Sequence, residues 1–225
     1  MKRFYPLLLQ CPLFSGVSEL AISNLLECLK AQWRPFTKGQ FIFYEGDPVR
    51  RVGLVLSGSV QILRQEYDGS RSILANIAPG ELFGEIFACA GLTHFPVSVQ
   101  VTQEGQVLFM DFQQLITTCG QACSFHQQVI TNLLRILSGK NLILNQKIRC
   151  MSQTTTQEKL MTFLLEQAKQ HGKPEFIIPF DRQALADYLG VERSAMSAEI
   201  SKLKKQGRID TKGSWFHLIT HQNEE

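Results

Sequence analysis

Residues Phe180–Ile209 read FDRQALADYLGVERSAMSAEISKLKKQGRI. Asp181 can cap a helix running from Arg182 to Leu189, and Gly190-Val191-Glu192 makes a tight turn. A second helix is predicted from Arg193 to Gln206. Met196, Ile200 and Leu203 recur at i, i+4 and i+7, one apolar stripe on that helix. Ala186 is small and stands four residues before the turn glycine, so the two helices can cross closely. The opposite face carries Arg193, Ser194, Ser197, Ala198, Ser201 and Lys204. The pattern predicts a helix-turn-helix whose second helix presents its N-terminal end to the major groove of double-stranded DNA.

Downstream, RIDTKGSWFHLI reads as a wing, two strands about a turn at Thr211-Lys212-Gly213-Ser214. Between Arg193 and Gly213 six basic residues (Arg193, Lys202, Lys204, Lys205, Arg208, Lys212) face only Glu199 and Asp210. Over residues 151–225 the count is ten against ten, so the positive charge is a local patch and not a property of the whole segment. A plain helical hairpin with a solvated basic face is the alternative, but such hairpins seldom open with one Arg followed by small residues. Upstream, TTTQEKL can start a helix capped by Thr155 or Thr156 with Glu158 in its first turn. Leu160, Phe163 and Leu164 give that helix an apolar face, His171-Gly172-Lys173-Pro174 ends it, and FIIPF follows as a short strand.

Between about 124 and 152 there is no Pro, and Gly139 is the one breaker. Ile130, Leu134, Leu137, Asn141, Leu144, Ile148 and Met151 are spaced 4-3-4-3-4-3, a heptad seam. All are apolar except Asn141, and one polar core Asn fixes register and favours a two-stranded parallel pair. The stripe would also suit a single long helix packed on its own barrel, with Asn141 at the edge. A stripe this long needs more apolar surface than one small barrel offers, which favours a second copy of the chain.

From Trp33 to Phe112 the chain reads as β. FIFYEG, VGLVLSG, SVQILRQEY, SILANIAPG and QVLFMDF are short β-branched or aromatic runs, punctuated at Gly39, Gly46-Asp47, Gly58, Asp68-Gly69 and Gly80. YDGS is a hairpin turn signal, and many short strands at even spacing predict a closed barrel or sandwich. Ser18–Lys30 before it has helical spacing and a Ser cap.

Apolar content of 44% and charged content of 19% over 225 residues describe an ordinary soluble globular chain of one large or two modest domains. The six cysteines, Cys11, Cys28, Cys89, Cys119, Cys123 and Cys150, stand mostly alone in apolar surroundings. Lys2-Arg3 followed by FYPLLL is too short for a secretory core, and no apolar run spans a bilayer. The expectation is a cytoplasmic protein with free thiols and no membrane contact.

The order β-roll, long helix, winged helix-turn-helix resembles the cyclic-AMP receptor protein/FNR (CRP/FNR) family of bacterial transcription regulators, over essentially the whole chain. KGQFIFYEGDPVRRVGLVLSGSVQI (38–62) resembles the family's β-roll signature, PGELFGEI (79–86) its ligand-cassette opening, and ALADYLGVERSAMSAEISKL (184–203) its DNA-reading unit. The resemblance implies an α+β fold: an effector-sensing double-stranded β-roll over 1–123, a dimerisation helix over 124–152 and a winged helix-turn-helix over 153–225. It implies double-stranded DNA, a second copy, a small-molecule effector and RNA polymerase as partners, and no cofactor. It places a base-contacting Arg at Arg193, with Ser194 and Ser197 on the same face. Many relatives have a second Arg where this chain has Ala198, which puts any carried-over operator sequence in doubt. Lys204, Lys205 and Lys212 are expected on phosphates.

In the cyclic-nucleotide-binding members the cassette runs Gly-Glu-Leu and, a short way downstream, Arg-Ser. The Arg pairs with the cyclic phosphate and the Ser hydrogen-bonds it. Here Gly84-Glu85-Ile86 keeps the opening, but the Arg-Ser positions fall on Phe95-Pro96. Phe95 cannot neutralise a phosphate and Pro96 has no N–H to donate. Desolvating a phosphate with no cation is costly, and Arg71, the nearest cation upstream, reads as a strand or turn residue facing water. Cyclic-nucleotide recognition is therefore expected to be lost. Two readings of the remaining cassette stay open. Gly84, Glu85, Ile86, Phe87, Cys89, Leu92, Phe95 and Pro96, with Leu144 and Asn145 of the long helix, line an apolar pocket for another effector. Alternatively Phe95 and Phe87 fill the old pocket as core, and the regulator needs no effector.

Other chemistry is weaker. Relatives with an oxygen-sensing iron–sulfur cluster use clustered N-terminal cysteines, and here Cys11 stands alone. Cys119 and Cys123 with His126 could serve a thiol-based redox response, although such pairs on apolar helices are usually buried thiols. A cupin-type metal enzyme would need several His in the barrel, and His94 is the only one between Trp33 and Phe112. No Ser/His/Asp set, Walker loop or paired-carboxylate motif is present, so the chain is not expected to be an enzyme.

Overall fold

The computed structural model describes residues 2–67, 71–117 and 124–219. They form two compact units, Met1–Ser138 and Gly139–Glu225, whose boundary lies inside one long helix.

The first unit opens with two short helices, α1 (Tyr5–Gln10) and α2 (Glu19–Cys28). Ser18 caps α2 by accepting the N–H of Ala21, as the Ser-led pattern predicts. Six strands follow: β1 (Gln32–Phe36), β2 (Phe41–Phe43), β3 (Arg51–Gln65), β4 (Arg71–Ile77), β5 (Leu82–Phe83) and β6 (Ser98–Asp111). The sheet order is β1-β6-β3-β4, with β2 on β6 and β5 on β3. A helix, α3 (Glu85–Cys89), interrupts the strands between β5 and β6, and α4 (Phe112–Ile116) leaves the sheet under an Asp111 cap.

The sequence reading splits VGLVLSG from SVQILRQEY at Gly58, but β3 runs through that glycine. It pairs antiparallel with β6 from Arg51↔Asp111 to Leu63↔Ser98, shifting register around Ser57 and Ser59. Gly58 sits at φ +75°, and a Cβ there would stand 2.4 Å from the carbonyl oxygens of Gln103 and Glu104. A Cβ on Gly105 would stand 1.9 Å from Ser57 O. Two glycines meeting across the ladder let the strands bulge past each other without ending. Gln65↔Arg71 closes the β3–β4 pair, and the expected turn at Asp68-Gly69 lies outside the described residues.

The long helix α5 runs from Ser124 to Met151. Its first half belongs to the core of the first unit, where Val129 and Leu133 pack with Leu13, Phe14, Leu82 and Ala88. Asn132 is buried there and its amide donates to the carbonyls of Leu13 (3.0 Å) and Ser15 (2.8 Å), which fastens the N-terminal segment to α5.

The second unit continues α5 into α6 (Thr156–His171), β7 (Glu175–Ile177), α7 (Arg182–Leu189), α8 (Arg193–Lys205), β8 (Ile209–Lys212) and β9 (Trp215–Leu218). Thr155 and Glu158 form the reciprocal capping box expected of S/T-x-x-E. Gly172 takes the left-handed residue after α6, and Gly190 does the same after α7. The sheet order is β7-β9-β8. Leu160, Phe163, Leu185, Met196, Leu203 and Phe216 lie in one buried core.

Candidate nucleic-acid interface and effector cassette

Asp181 accepts the N–H of Ala184 at 2.8 Å and starts α7 where the sequence places it. Val191 N–H bonds back to Ala186 O, so the fully buried Ala186 lies directly under the turn. Met196, Ile200 and Leu203 are buried, which rotates Arg193, Ser194, Ala198, Ser201 and Lys204 to the exposed side of α8, with Ser197 half-buried beside them. Glu192 occupies the N-cap position without capping, so no side chain closes the first turn. Ser201 donates its hydroxyl to Ser197 O at 2.9 Å, which leaves its oxygen only as an acceptor toward a partner.

The wing is tied to both helices. Lys204 Nζ lies 2.6 Å from Asp210 Oδ1 on β8 and 3.4 Å from Thr211 O. From α7, Arg182 donates to Thr211 Oγ1 at 2.9 Å, and its guanidinium lies 4.9 Å over the Phe216 ring. Thr211 in turn donates to Trp215 O at 2.8 Å. Burial pulls the pKa of Arg182 down from its usual value, and the hydrogen bond from Lys204, then the Thr211 N–H, hold the Asp210 carboxyl below its ordinary range. Among the described residues Arg193, Lys205 and Lys212 are exposed and have no ion-pair partner. The roles of Arg182 and Asp210 are not legible in the sequence, because each depends on strand–helix contacts.

The cassette has a different character. Gly84 sits at φ +84° between β5 and α3, and Glu85 opens α3 with 1% of its surface exposed. Phe95 is likewise 1% exposed. Its ring stacks on Phe43 at 4.5 Å and 18°, and meets Phe87 edge-on at 5.9 Å. Ile86, Cys89 and Leu92, expected to line a pocket, lie on the exposed side, and Pro96 is half-buried. Arg71 is exposed, as expected, 5.9 Å over the Phe41 ring. Leu144 and Asn145 belong to the second unit, where both are exposed. There Asn145 donates to the side-chain oxygen of Asn141 and borders a groove with Gln146, Arg149 and Cys150.

The thiols of Cys11, Cys89 and Cys150 are all pushed up by burial, the opposite of an activated thiolate. Cys11 donates to Gly80 O. His126 is buried, 2.7 Å from Gln114 O. Cys119 and Cys123 lie outside the described residues. No group of three or more His, Cys, Asp or Glu among the described residues is placed to hold a metal ion.

A roll of antiparallel strands followed by a winged helix-turn-helix defines a DNA-binding transcription regulator. The cyclic nucleotide-binding domain family matches residues 33–121, and the Crp-like helix-turn-helix domain family matches 158–224. The transcriptional activator protein Anr of Pseudomonas aeruginosa is 26% identical over 191 residues, covering 83% of this chain and 76% of its own. The fumarate and nitrate reduction regulatory protein of Escherichia coli K12 is 24% identical over 202 residues, covering 88% of this chain and 77% of its own. Among solved structures, DNR from Pseudomonas aeruginosa superposes with a TM-score of 0.52 at 19% identity, over 99% of this chain and 96% of that one. CLP from Xanthomonas campestris gives 0.53 at 20% identity, over 88% and 99%. The chain belongs to the CRP/FNR family: it is a transcription regulator and not an enzyme.

Proposed function

We propose that the protein regulates transcription as a homodimer that reads double-stranded DNA with α8, through Arg193, Ser194 and Ser197. The observation that carries this is the rotation of α8: its apolar stripe is buried, and an exposed face of small residues led by one unpaired Arg is left at its N-terminal end. Lys205 and Lys212 supply phosphate contacts. Lys204 has a smaller share, because Asp210 already holds it. Selection of binding sites from a random DNA pool, followed by gel shift, tests the reading. Recovery of no preferred sequence would remove it.

The dimer reading rests on α5, which has two apolar faces. Val129 and Leu133 are buried in its own core. The heptad positions Leu134, Leu144, Ile148 and Met151 are 60%, 57%, 56% and 46% exposed, Asn141 is exposed, and Ile130 and Leu137 are half-buried. An open heptad face of that composition is suited to a copy of itself.

Of the two cassette readings, the burial of Phe95 favours the filled one. No cyclic nucleotide is accommodated: the positions that the resemblance gives to the phosphate-binding Arg-Ser pair hold the buried Phe95 ring and Pro96, which offer neither a cation nor an N–H donor. Calorimetry with cyclic AMP and cyclic GMP at millimolar concentration is expected to give no heat of binding, and micromolar affinity would refute the assignment. The raised thiols count against a redox response at Cys11, Cys89 or Cys150. Action on DNA places the protein in the cytoplasm, with RNA polymerase as its further partner.

A further inference from the structure

Phe95 is held from several sides. Its N–H donates to Asp47 O at 2.9 Å and its carbonyl accepts from Gly46 N–H at 2.8 Å, which pins the backbone. Its ring is clamped between Phe43 and Phe87. Phe43 continues inward, 5.9 Å from both Phe83 and Phe109, so Phe95 ends an aromatic column through the roll. A Cβ on Gly84 would stand 3.4 Å from the Phe95 ring, so the ring touches the backbone that starts α3. Four residues further on, Ala88 of α3 is buried in the same core as Val129 and Leu133 of α5. The Phe95 ring thus packs on the start of α3, and α3 shares a buried core with the first half of α5 inside the first unit.

We propose that Phe95 is a tethered ligand: it permanently occupies the effector position and holds α3 against α5 in the pose that a free effector would otherwise have to induce. A free effector must offset its lost translational and rotational freedom on binding, whereas a side chain on a pinned backbone has already lost most of it. A regulator built this way has its DNA-binding conformation as the ground state, with no conformational equilibrium left for a small molecule to shift. The inference rests on the DNA-binding reading above and adds to it that the roll is self-liganded.

The test uses the full-length protein and its own selected DNA site. The wild type is expected to bind that site with no added small molecule and to ignore cyclic AMP. Phe95→Ala is expected to bind it about tenfold or more weakly while keeping its circular dichroism spectrum and sedimentation. The hole left by a buried aromatic ring is apolar and takes up benzene, so millimolar benzene is expected to restore DNA affinity in Phe95→Ala and to leave the wild type unchanged. A folded Phe95→Ala that binds DNA as tightly as the wild type overturns the proposal. So does benzene that enters the hole, seen by its heat of binding, without restoring affinity. If Phe95→Ala does not fold, Phe95→Leu and Phe95→Val replace it: affinity falling in the order Phe, Leu, Val supports the proposal, and equal affinities overturn it. A wild type that selects no DNA site overturns this inference and the DNA-binding reading together, whereas a binding wild type with an indifferent variant series overturns this inference alone.

Discussion

Lys204 Nζ on α8 lies 2.6 Å from Asp210 Oδ1 on β8, so a cation of the recognition helix is spent on holding the wing. The carboxyl of Asp210 is held below its ordinary range, first by this hydrogen bond. A depressed carboxyl contributes stability that is present above its unfolded pKa and lost as pH falls through its folded one. The stability difference between wild type and Asp210→Asn is therefore expected at neutral pH and should vanish in acid, below the ordinary carboxylate range. Thermal melts of both proteins across that range check it. Asp210→Asn also frees Lys204 for DNA, so the slope of log affinity against log salt should steepen by about one. An unchanged slope would place Lys204 away from the phosphates.

Arg193 is exposed and unpaired at the first position of α8, where its fork can bond guanine O6 and N7 together. Arg193→Ala is expected to cost roughly 1–3 kcal/mol per half-site and to flatten preference at one base pair. Lys212→Ala should weaken all sequences alike and reduce the salt slope by about one. Repeated site selection and salt titration on both variants separate the two roles, and a selected motif unchanged by Arg193→Ala would mean that another face reads the bases.

On α5, Asn141 is the one polar residue of the exposed heptad face. Asn141→Leu is expected to stabilise the dimer against dilution while admitting other registers or higher oligomers. Sedimentation equilibrium measures both effects. A wild type that stays monomeric at concentrations of tens of micromolar, about the range where a modest interface forms, would refute the seam.

Arg182 connects α7 to the wing through Thr211 Oγ1 and lies over Phe216. Arg182→Met keeps the apolar stem but loses a charge-assisted hydrogen bond, for which about 1.5–3 kcal/mol of stability is expected to go. Chemical denaturation of the full chain checks the magnitude. A loss no larger than that of an exposed Arg variant would show that the contact is incidental.

Most of the second unit is determined by its sequence alone. Asp181, Gly190 and the Met196–Ile200–Leu203 stripe place both helices of the DNA-reading pair, because caps, left-handed glycines and helical periodicity act within a few residues of themselves. The heptad on α5 is legible for the same reason, and so is the absence of a cation at Phe95-Pro96. Tertiary structure decided the rest. Gly58 looks like a strand end until Gly105 is brought opposite it, and only then do the two let β3 and β6 continue. Lys204 looks like a free cation until the wing folds Asp210 against it. Phe95 could line a cavity or fill one. Its sequence neighbours cannot tell how far its ring is buried, because Phe43, on a strand more than fifty residues earlier, reaches that ring only when β2 pairs with β6.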